Sequence, residues 1–192
     1  MGLDRVDSIN IVDSAVTAAK VAQKTSVFKI DLSDIRKAAD LTLLPRSPDG
    51  TNLTVEAGAH GAAAPYIRQS TSSATTWTGR FLFALPANYV AGQAVTIRVR
   101  AKKGLDAWSA ATVDLNVYAS SENGAGGISA DLCATDAQAV AQAVADKDFT
   151  ITAAALVAGT VLDVKISFAT ASNDHMVAPV IAAISVLCVT KL

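Results

Sequence analysis

Residues 81–100 read FLFALPANYVAGQAVTIRVR, and residues 149–166 read FTITAAALVAGTVLDVKI. Each stretch holds an apolar segment, a short loop ending in Val-Ala-Gly, and a second segment that alternates apolar with polar residues. Alternation with a period of two is typical of a β-strand with one buried and one solvated face. The repeated pattern predicts two corresponding β-hairpins of one sandwich, in which Gly92 and Gly159 meet the requirements of turns.

Further short segments along the chain carry the same strand signal. Apolar residues alternate with polar ones or form β-branched runs, with turn residues between the segments, at residues 26–32, 53–56, 75–85, 112–118 and 180–189. Eight or more short strands of this kind are typical of two-sheet architectures. The sequence therefore predicts an all-β fold, an antiparallel β-sandwich that is jelly-roll-like.

Two local features test this assignment. Trp77, Phe81 and Phe83 share one parity of a predicted strand, so their rings are expected to point into the core together. Residues 135–146 are ambiguous, because Thr135 with Gln138 matches a helix capping box while the flanking segments are strands. We expect an extended or irregular segment there, although propensity alone favours a short helix.

The first 24 residues differ from the rest of the chain. Ile9, Val12, Val16 and Ala19 have spacings compatible with one face of a helix, although the period is weak. We interpret residues 1–24 as an N-terminal arm with some helical character that docks on the body or on a neighbour. Residues 25–192 are then the sandwich domain, and the arm's start shows no apolar core of a secretory signal.

The composition suggests assembly. Apolar residues make up 51% of the 192 residues and charged residues only 17%, against about 25% in typical soluble domains. Because a monomer needs polar groups to stay dispersed, scarce charge favours a surface partly covered by other subunits, a homo-oligomer. The formal net charge of −1, without a basic face, argues against nucleic acid as a partner. The apolar run 177–189 is too short and too β-branched for a membrane-spanning helix.

No cluster of residues announces a reaction. His60 and His175 are isolated, and the carboxylate pairs Asp31/Asp34 and Asp146/Asp148 read as surface turn residues. Cys133 and Cys188 lie in apolar strand-like settings, which favours free thiols over a disulfide. The sequence therefore predicts no catalytic residue, no metal site and no cofactor.

Three aromatic residues suit the stacking of a sugar ring. Trp77, Trp108 and Tyr118 are candidates, but Trp77 shares the core parity of Phe81 and Phe83. Trp108 follows Gly104-Leu105-Asp106-Ala107 in a predicted loop, where its ring is expected to be exposed. Trp108 is therefore the candidate ligand contact.

The segments from Trp77 to Arg100 and from Asp148 to Phe168 resemble a known family type. An aromatic strand, then Leu-Pro-x-x-Tyr-x-Ala-Gly, then an alternating strand is similar to jelly-roll structural proteins of tailed bacteriophages and virus-like particles. The resemblance covers about the C-terminal two-thirds of the chain. It implies a capsid-associated protein of decoration type, located in the virion, that assembles as an oligomer and has a major capsid or other virion protein as partner. It carries no catalytic residues over to this chain.

Two functions remain open at this point. The first is a non-enzymatic structural assembly protein of a virion, which self-associates through its arm and its Ala- and Val-rich faces. The alternative is a glycan-binding β-sandwich module on an extracellular surface or a fibre, with Trp108 in the site. An enzyme is not expected, because sandwich enzymes need a cluster of reactive side chains.

Overall fold

The computed structural model is a sandwich of two antiparallel β-sheets. It describes residues 22–46, 52–57, 61–62, 64–68, 76–103, 110–120, 128–170 and 180–192. The ten strands are β1 (Gln23–Ile30), β2 (Thr54–Glu56), β3 (Tyr66–Arg68), β4 (Thr76–Ala84), β5 (Val95–Lys102), β6 (Ala111–Ser120), β7 (Gln138–Ala139), β8 (Ala145–Ile151), β9 (Val161–Thr170) and β10 (Val180–Lys191). The described residues thus confirm the predicted all-β fold.

The strand order identifies the kind of sandwich. Sheet I has the order β2-β3-β10-β5-β8, and β1 pairs with β10 on the same edge as β3. Sheet II has the order β4-β9-β6-β7. From β3 onward the chain changes sheet at every connection except β6 to β7, which is the alternation of a jelly roll. The jelly-roll-like prediction is therefore confirmed.

The prediction of two hairpins is wrong. The strands on either side of Val90-Ala91-Gly92 do not pair, because β4 belongs to sheet II and β5 to sheet I. The same holds for β8 and β9 around Val157-Ala158-Gly159. Alternation reports which side of a strand is buried, and strands of both sheets bury one side, so the pattern cannot distinguish a hairpin from an arch that crosses the core.

The two arches pack directly on each other. β4 pairs with β9 and β5 pairs with β8, so the connecting loops lie side by side. The amide of Leu85 donates to the carbonyl of Thr160 at 2.9 Å, and the amide of Gly92 donates to the carbonyl of Leu156 at 3.0 Å. Gly92 and Gly159 have φ of 72° and 80°, a conformation that side chains with a Cβ rarely adopt. The repeated motif is thus explained by two stacked arches.

The core contains the aromatic side chains expected from their parity. Trp77 and Phe81 on β4 are buried, as are Phe149 on β8 and Phe168 on β9. Phe83 is half-buried at the margin and packs against Phe28 of β1, with ring centroids 5.7 Å apart. The prediction for Trp77, Phe81 and Phe83 is therefore confirmed, with Phe83 at the edge of the core.

Irregular segments close both open sides of the sandwich. On the β4 side, a 3₁₀ turn at Leu32–Asp34 leads to Ile35, which is fully buried, and Leu53 is buried beside it. On the opposite side, residues 128–144 run between β6 and β8. There the amide of Leu132 donates to Val117 of β6, and that of Ala134 donates to Thr150 of β8.

Residues 135–146 contain β7 and the start of β8, which confirms the extended interpretation over the short helix. The amides that a helix would have used internally instead bond to neighbouring strands, as Val140 does to the carbonyl of Ala111 at 2.8 Å. Tertiary hydrogen bonds have outweighed the helix propensity of Ala and Gln. Residues 1–21 of the predicted N-terminal arm lie outside the described residues, and β1 begins at Gln23.

Candidate functional site

The residues suspected of chemistry have structural roles where the structure describes them. Asp31 accepts hydrogen bonds from the amide and hydroxyl of Ser33, both at 2.8 Å, which lower its pKa and cap the 3₁₀ turn. Asp148 makes a bidentate pair with Arg98, with both bonds at 2.7 Å, and Asp146 lies opposite Arg100. Within the described ranges, no three His, Cys, Asp or Glu residues lie close enough to hold a metal ion.

Both cysteines are free thiols, as predicted. Cys188 is buried in the core face of β10, and Cys133 is half-buried. Burial raises the pKa of both thiols above the ordinary value, so at neutral pH they are protonated and weakly nucleophilic. The aromatic candidate Trp108 and the histidines His60 and His175 lie outside the described residues.

The outer face of sheet II has the features of a binding surface. β4, β9 and β6 alternate along their whole length, so one residue in two points away from the core. The register aligns the outward residues in rows across the sheet, of which two are Leu82–Asp163–Tyr118 and Arg80–Lys165–Asn116. These three neighbouring strands of sheet II therefore hold one aromatic, several polar and several charged side chains at the spacing set by their hydrogen-bonded pairing.

A shallow depression of about 280 Å³ lies at one end of this face. We call it the Tyr118 depression. Tyr118 of β6 and Leu82 of β4 border it, and Ile128 forms a wall beyond β6. Leu82 and Ile128 are 53% and 72% exposed, so the depression presents apolar surface directly to solvent. Its further lining includes Arg80, Ser120, Val161 and Asp163.

An oriented ion pair lies at the edge of the Tyr118 depression. Arg80 Nε donates to Asp163 Oδ1 at 2.6 Å, and Nη2 donates to Oδ2, which makes the pair bidentate. The hydrogen bond with Asp163 raises the pKa of the Arg80 guanidinium, and the side chains are 28% and 21% exposed. Such a pair fixes the orientation of both planar groups at the sheet surface, and the described residues supply no partner for the donors on Nη1 of Arg80.

Asp131 holds the wall that carries Ile128. Its carboxylate accepts from the amide of Val117 at 2.9 Å, the side-chain amide of Asn116 at 2.7 Å and the amide of Cys133 at 3.0 Å. Burial by itself would raise the pKa of Asp131, but these three hydrogen bonds and the charge of Lys165 lower it overall. The wall segment is therefore fastened to β6 by an ionised carboxylate.

Replacing Asp131 with alanine is expected to cost about 1 kcal/mol of unfolding free energy at pH 7, because two backbone amides lose their acceptor at a solvated site. The lowered pKa means that this contribution is complete above the ordinary value of 3.8 and is lost as the pH falls through the folded value. Urea denaturation of wild type and Asp131→Ala should therefore differ at pH 7, and the difference should shrink as the pH is lowered below the ordinary value of 3.8. Asp136→Ala, an exposed carboxylate of the same segment, serves as control; an equal loss there contradicts the assignment.

The outer face of sheet I is a different surface. Val27 of β1 is 59% exposed beside the half-buried Leu187 of β10. The cross-strand pairs of Arg98 and Arg100 with Asp148 and Asp146 flank it. Two of its arginines are thus paired with carboxylates within the sheet, and Val27 and Leu187 form a small apolar patch.

Comparisons with protein-family models and with curated proteins found no match. Among solved structures, the chain is similar to the xylan-binding CBM22-1 domain of Paenibacillus barcinonensis Xyn10C, at 15% identity and a TM-score of 0.42, covering 76% of this chain and 85% of that one. It is also similar to TmCBM61 in complex with β-1,4-galactotriose, at 7% identity and 0.39, covering 88% of both chains. A CBM4 structure matches at 18% identity and 0.36, covering 82% and 85%. At these values the matches assign neither a family nor a ligand to this chain.

The sequence analysis located one part of this face and missed the rest. Tyr118 was among the three aromatic candidates, and the structure places it on the outer face, whereas it buries Trp77 in the core. Arg80, Asp163 and Lys165 were missed, because Arg80 and Asp163 are 83 residues apart in the chain and adjacent only through the pairing of β4 with β9. The one available signal in the sequence was their position in the alternating pattern, which places their side chains on the solvated side of β4 and β9.

No helix in the described ranges is both long and apolar enough to span a bilayer.

Proposed function

We propose that this chain is a non-catalytic glycan-binding β-sandwich module whose ligand lies on the outer face of sheet II. The Tyr118 depression carries the proposal, because it combines exposed apolar surface with an oriented, bidentate ion pair on rigid strands. This combination suits a saccharide. The outer face of sheet I also carries one aromatic side chain among the described residues, Tyr66 of β3, beside the ion-paired Glu56 and Arg68. The site would act on an extracellular or particle surface, where polysaccharides are exposed.

The apolar part of the depression suits one side of a sugar ring. A pyranose has faces of C–H groups and a rim of hydroxyl groups, so it binds where an apolar side chain and polar groups converge. Tyr118 supplies a flat ring and a hydroxyl group, Ile128 adds apolar surface beyond β6, and Leu82 lies two strands away across Asp163. A sugar ring that lies against Tyr118 would displace water from its aromatic face, and the next unit of the chain could reach Leu82.

The polar part suits the hydroxyl groups of the same sugar. Arg80 keeps the donors on Nη1 available, and its orientation is already fixed by the two hydrogen bonds with Asp163. Charge-assisted hydrogen bonds are about twice as strong as neutral ones, and groups that are ordered before binding lose little entropy. The depression is shallow and continues into the neighbouring row of polar residues, so an extended chain of sugars fits it better than an enclosed small ligand.

The test is binding of purified protein to a panel of neutral and acidic polysaccharides, measured by affinity electrophoresis and calorimetry. Tyr118→Ala is expected to weaken binding by roughly tenfold or more, as for a stacking contact worth about 1.4 kcal/mol. Tyr66→Ala is the matched control, because Tyr66 is a half-buried tyrosine on sheet I. It is expected to leave the affinity unchanged.

Three results would contradict this proposal. The first is a wild-type protein that binds no glycan in the panel. The second is an equal loss of affinity in Tyr118→Ala and Tyr66→Ala. The third is a loss in Trp108→Ala without a loss in Tyr118→Ala, which would move the site to the loop predicted from the sequence.

The assembly function predicted from the sequence stays a prediction. The scarcity of charged residues and the exposed Val27 beside Leu187 on sheet I are the observations that favour self-association. The prediction of a homo-oligomer with a capsid partner in a virion requires a defined assembly in solution or on particles. Light scattering at micromolar concentration tests this prediction, and a monodisperse monomer that binds no particles would contradict the prediction.

A further inference from the structure

The second row of the sheet II face continues beyond the edge of the sheet. Arg36 pairs with Arg80 through two backbone hydrogen bonds of 2.8 Å, and Leu43 pairs with Arg36 in turn. The flanking residues Ile35 and Leu44 are buried, so Arg36 and Leu43 lie on the outer side. The complete row is Leu43–Arg36–Arg80–Lys165–Asn116. We call it the cationic row.

The cationic row places three positive side chains on adjacent strand positions. Neighbouring strands are about 4.8 Å apart, so the backbone positions of Arg36 and Lys165 are separated by roughly 10 Å with Arg80 between them. Arg80 has five N–H donors and uses one on Nε and one on Nη2 for Asp163. Its orientation is therefore fixed, while the described residues supply no partner for the donors on Nη1.

The carboxylates on this face are already engaged by protein groups. Asp163 is held by Arg80, and Asp131 accepts three hydrogen bonds and lies near Lys165. Asp114, one row further, accepts from the amide of Leu115 at 2.9 Å. The carboxylates thus offset part of the charge of the face. Both oxygens of Asp163 and of Asp131 are hydrogen-bonded within the protein, whereas Nη1 of Arg80 keeps donors available for a ligand.

The cationic row runs next to the Tyr118 depression. Arg80 belongs to both, since it lies in the row and borders the depression beside Leu82. A sugar ring that covers Tyr118 would therefore hold its substituents within reach of Arg80, and the next sugar unit along the strand-crossing direction would meet Lys165 or Arg36. Anionic substituents would be stabilised at these positions by charge-assisted hydrogen bonds, whereas the hydroxyl groups of a neutral chain would form only the weaker hydrogen bonds of a neutral acceptor.

We propose that the ligand of this face is an acidic polysaccharide, a glycan that carries carboxylate or sulfate groups and binds the cationic row through them. This inference rests on the proposed function of the Tyr118 depression and adds the chemical class of its ligand. Carboxylate and sulfate share the required chemistry, since both accept bidentate hydrogen bonds from arginine. Comparing a carboxylated polymer with a sulfated one shows which of the two groups is bound.

Polygalacturonate and a sulfated galactan are compared with an uncharged galactan by affinity electrophoresis and calorimetry. Binding of at least one acidic polymer is expected to exceed that of the neutral polymer by roughly tenfold or more. The affinity for the acidic polymer should fall several-fold as the salt concentration rises from ~50 to ~200 mM, because partly exposed ion pairs are screened. This salt dependence is measured on wild-type protein and needs no variant.

The double variant Arg36→Gln/Lys165→Gln is expected to abolish the preference for the acidic polymer while leaving binding of the neutral polymer within about twofold. The matched control is Lys29→Gln/Arg100→Gln, which removes the same number of charges from exposed positions of sheet I. The control should keep the preference, and thermal denaturation should show that both variants are folded.

The outcomes distinguish this inference from the proposed function. If the neutral polymer binds as tightly as the acidic ones, and without salt dependence, the acidic class is overturned while the glycan-binding function stands. If both double variants lose the preference equally, net charge and not the cationic row is responsible, and the inference fails. If no polymer binds, the proposed function and the inference fail together.

Discussion

Replacing Phe81 with alanine is expected to lower the free energy of unfolding by about 3–5 kcal/mol. Phe81 lies in the middle of β4 and is 2% exposed, opposite Val164 of β9. Truncation removes the transfer free energy of the ring and leaves a cavity between two sheets that cannot close, because each sheet is held by its own hydrogen bonds. Domains of this size are stable by only about 5–15 kcal/mol, so a large share of the stability depends on this ring.

The next residue on the strand provides the control. Leu82 points to the opposite side of β4 and is 53% exposed, so Leu82→Ala is expected to change stability by no more than about 0.5 kcal/mol. Urea denaturation followed by tryptophan fluorescence measures both variants. If Phe81→Ala lacks a folded baseline, Phe81→Leu, with its smaller cavity, takes its place. Equal losses of unfolding free energy at positions 81 and 82 would contradict the assignment of Phe81 to the buried side of β4 and Leu82 to the exposed side.

The second large effect is expected at Gly79, where alanine should destabilise the protein by about 1–3 kcal/mol. In a strand interior, alanine ordinarily stabilises relative to glycine, so the expected sign is reversed here. A Cβ at position 79 would lie 2.9 Å from Cγ2 of Ile35 and 3.2 Å from Cδ1 of Leu53. Both side chains are fully buried and close the β4 side of the sandwich, so they have little room to move.

A double-mutant cycle tests the cause of this effect. Ile35→Ala by itself should cost about 2–5 kcal/mol, since it removes a buried side chain. Combined with Gly79→Ala, the two losses are expected to be less than additive by at least about 0.5 kcal/mol, because the new methyl group then occupies the vacated space. A neutral or stabilising Gly79→Ala would show that no close contact exists at this position.

Much of the burial could be predicted from the sequence. The parity of Trp77, Phe81 and Phe83 placed their rings on the core side, and the alternation of residues 95–100 and 161–168 marked which side of β5 and β9 is solvated. The extended state of residues 135–146 was also predictable, because the strands on both sides outweighed a local helix signal. The predictions of burial share one cause, because successive side chains of a strand point to opposite faces, so the side of each residue follows from its place in the alternating pattern.

The pairing of strands and the candidate site could not be predicted in the same way. The Val-Ala-Gly loops were interpreted as hairpins, although β4 pairs with β9 and β5 with β8. The surface that follows from this pairing joins Tyr118, Arg80 and Lys165, and a bridge outside the named strands adds Arg36. Nothing near these residues in the sequence marks them as neighbours, because hydrogen bonds between distant strands bring them together.

The sequence by itself determined that this protein is an all-β sandwich and which side of most strands is buried. The physical reason is that apolar side chains must leave water, and the period of two assigns them to one side whatever the partner strand is. Only the tertiary structure decided that the two Val-Ala-Gly motifs are stacked arches, and that Arg36, Arg80 and Lys165 form one row beside Tyr118. Pairing is chosen by the packing of two whole sheets against each other, a property that no single segment contains.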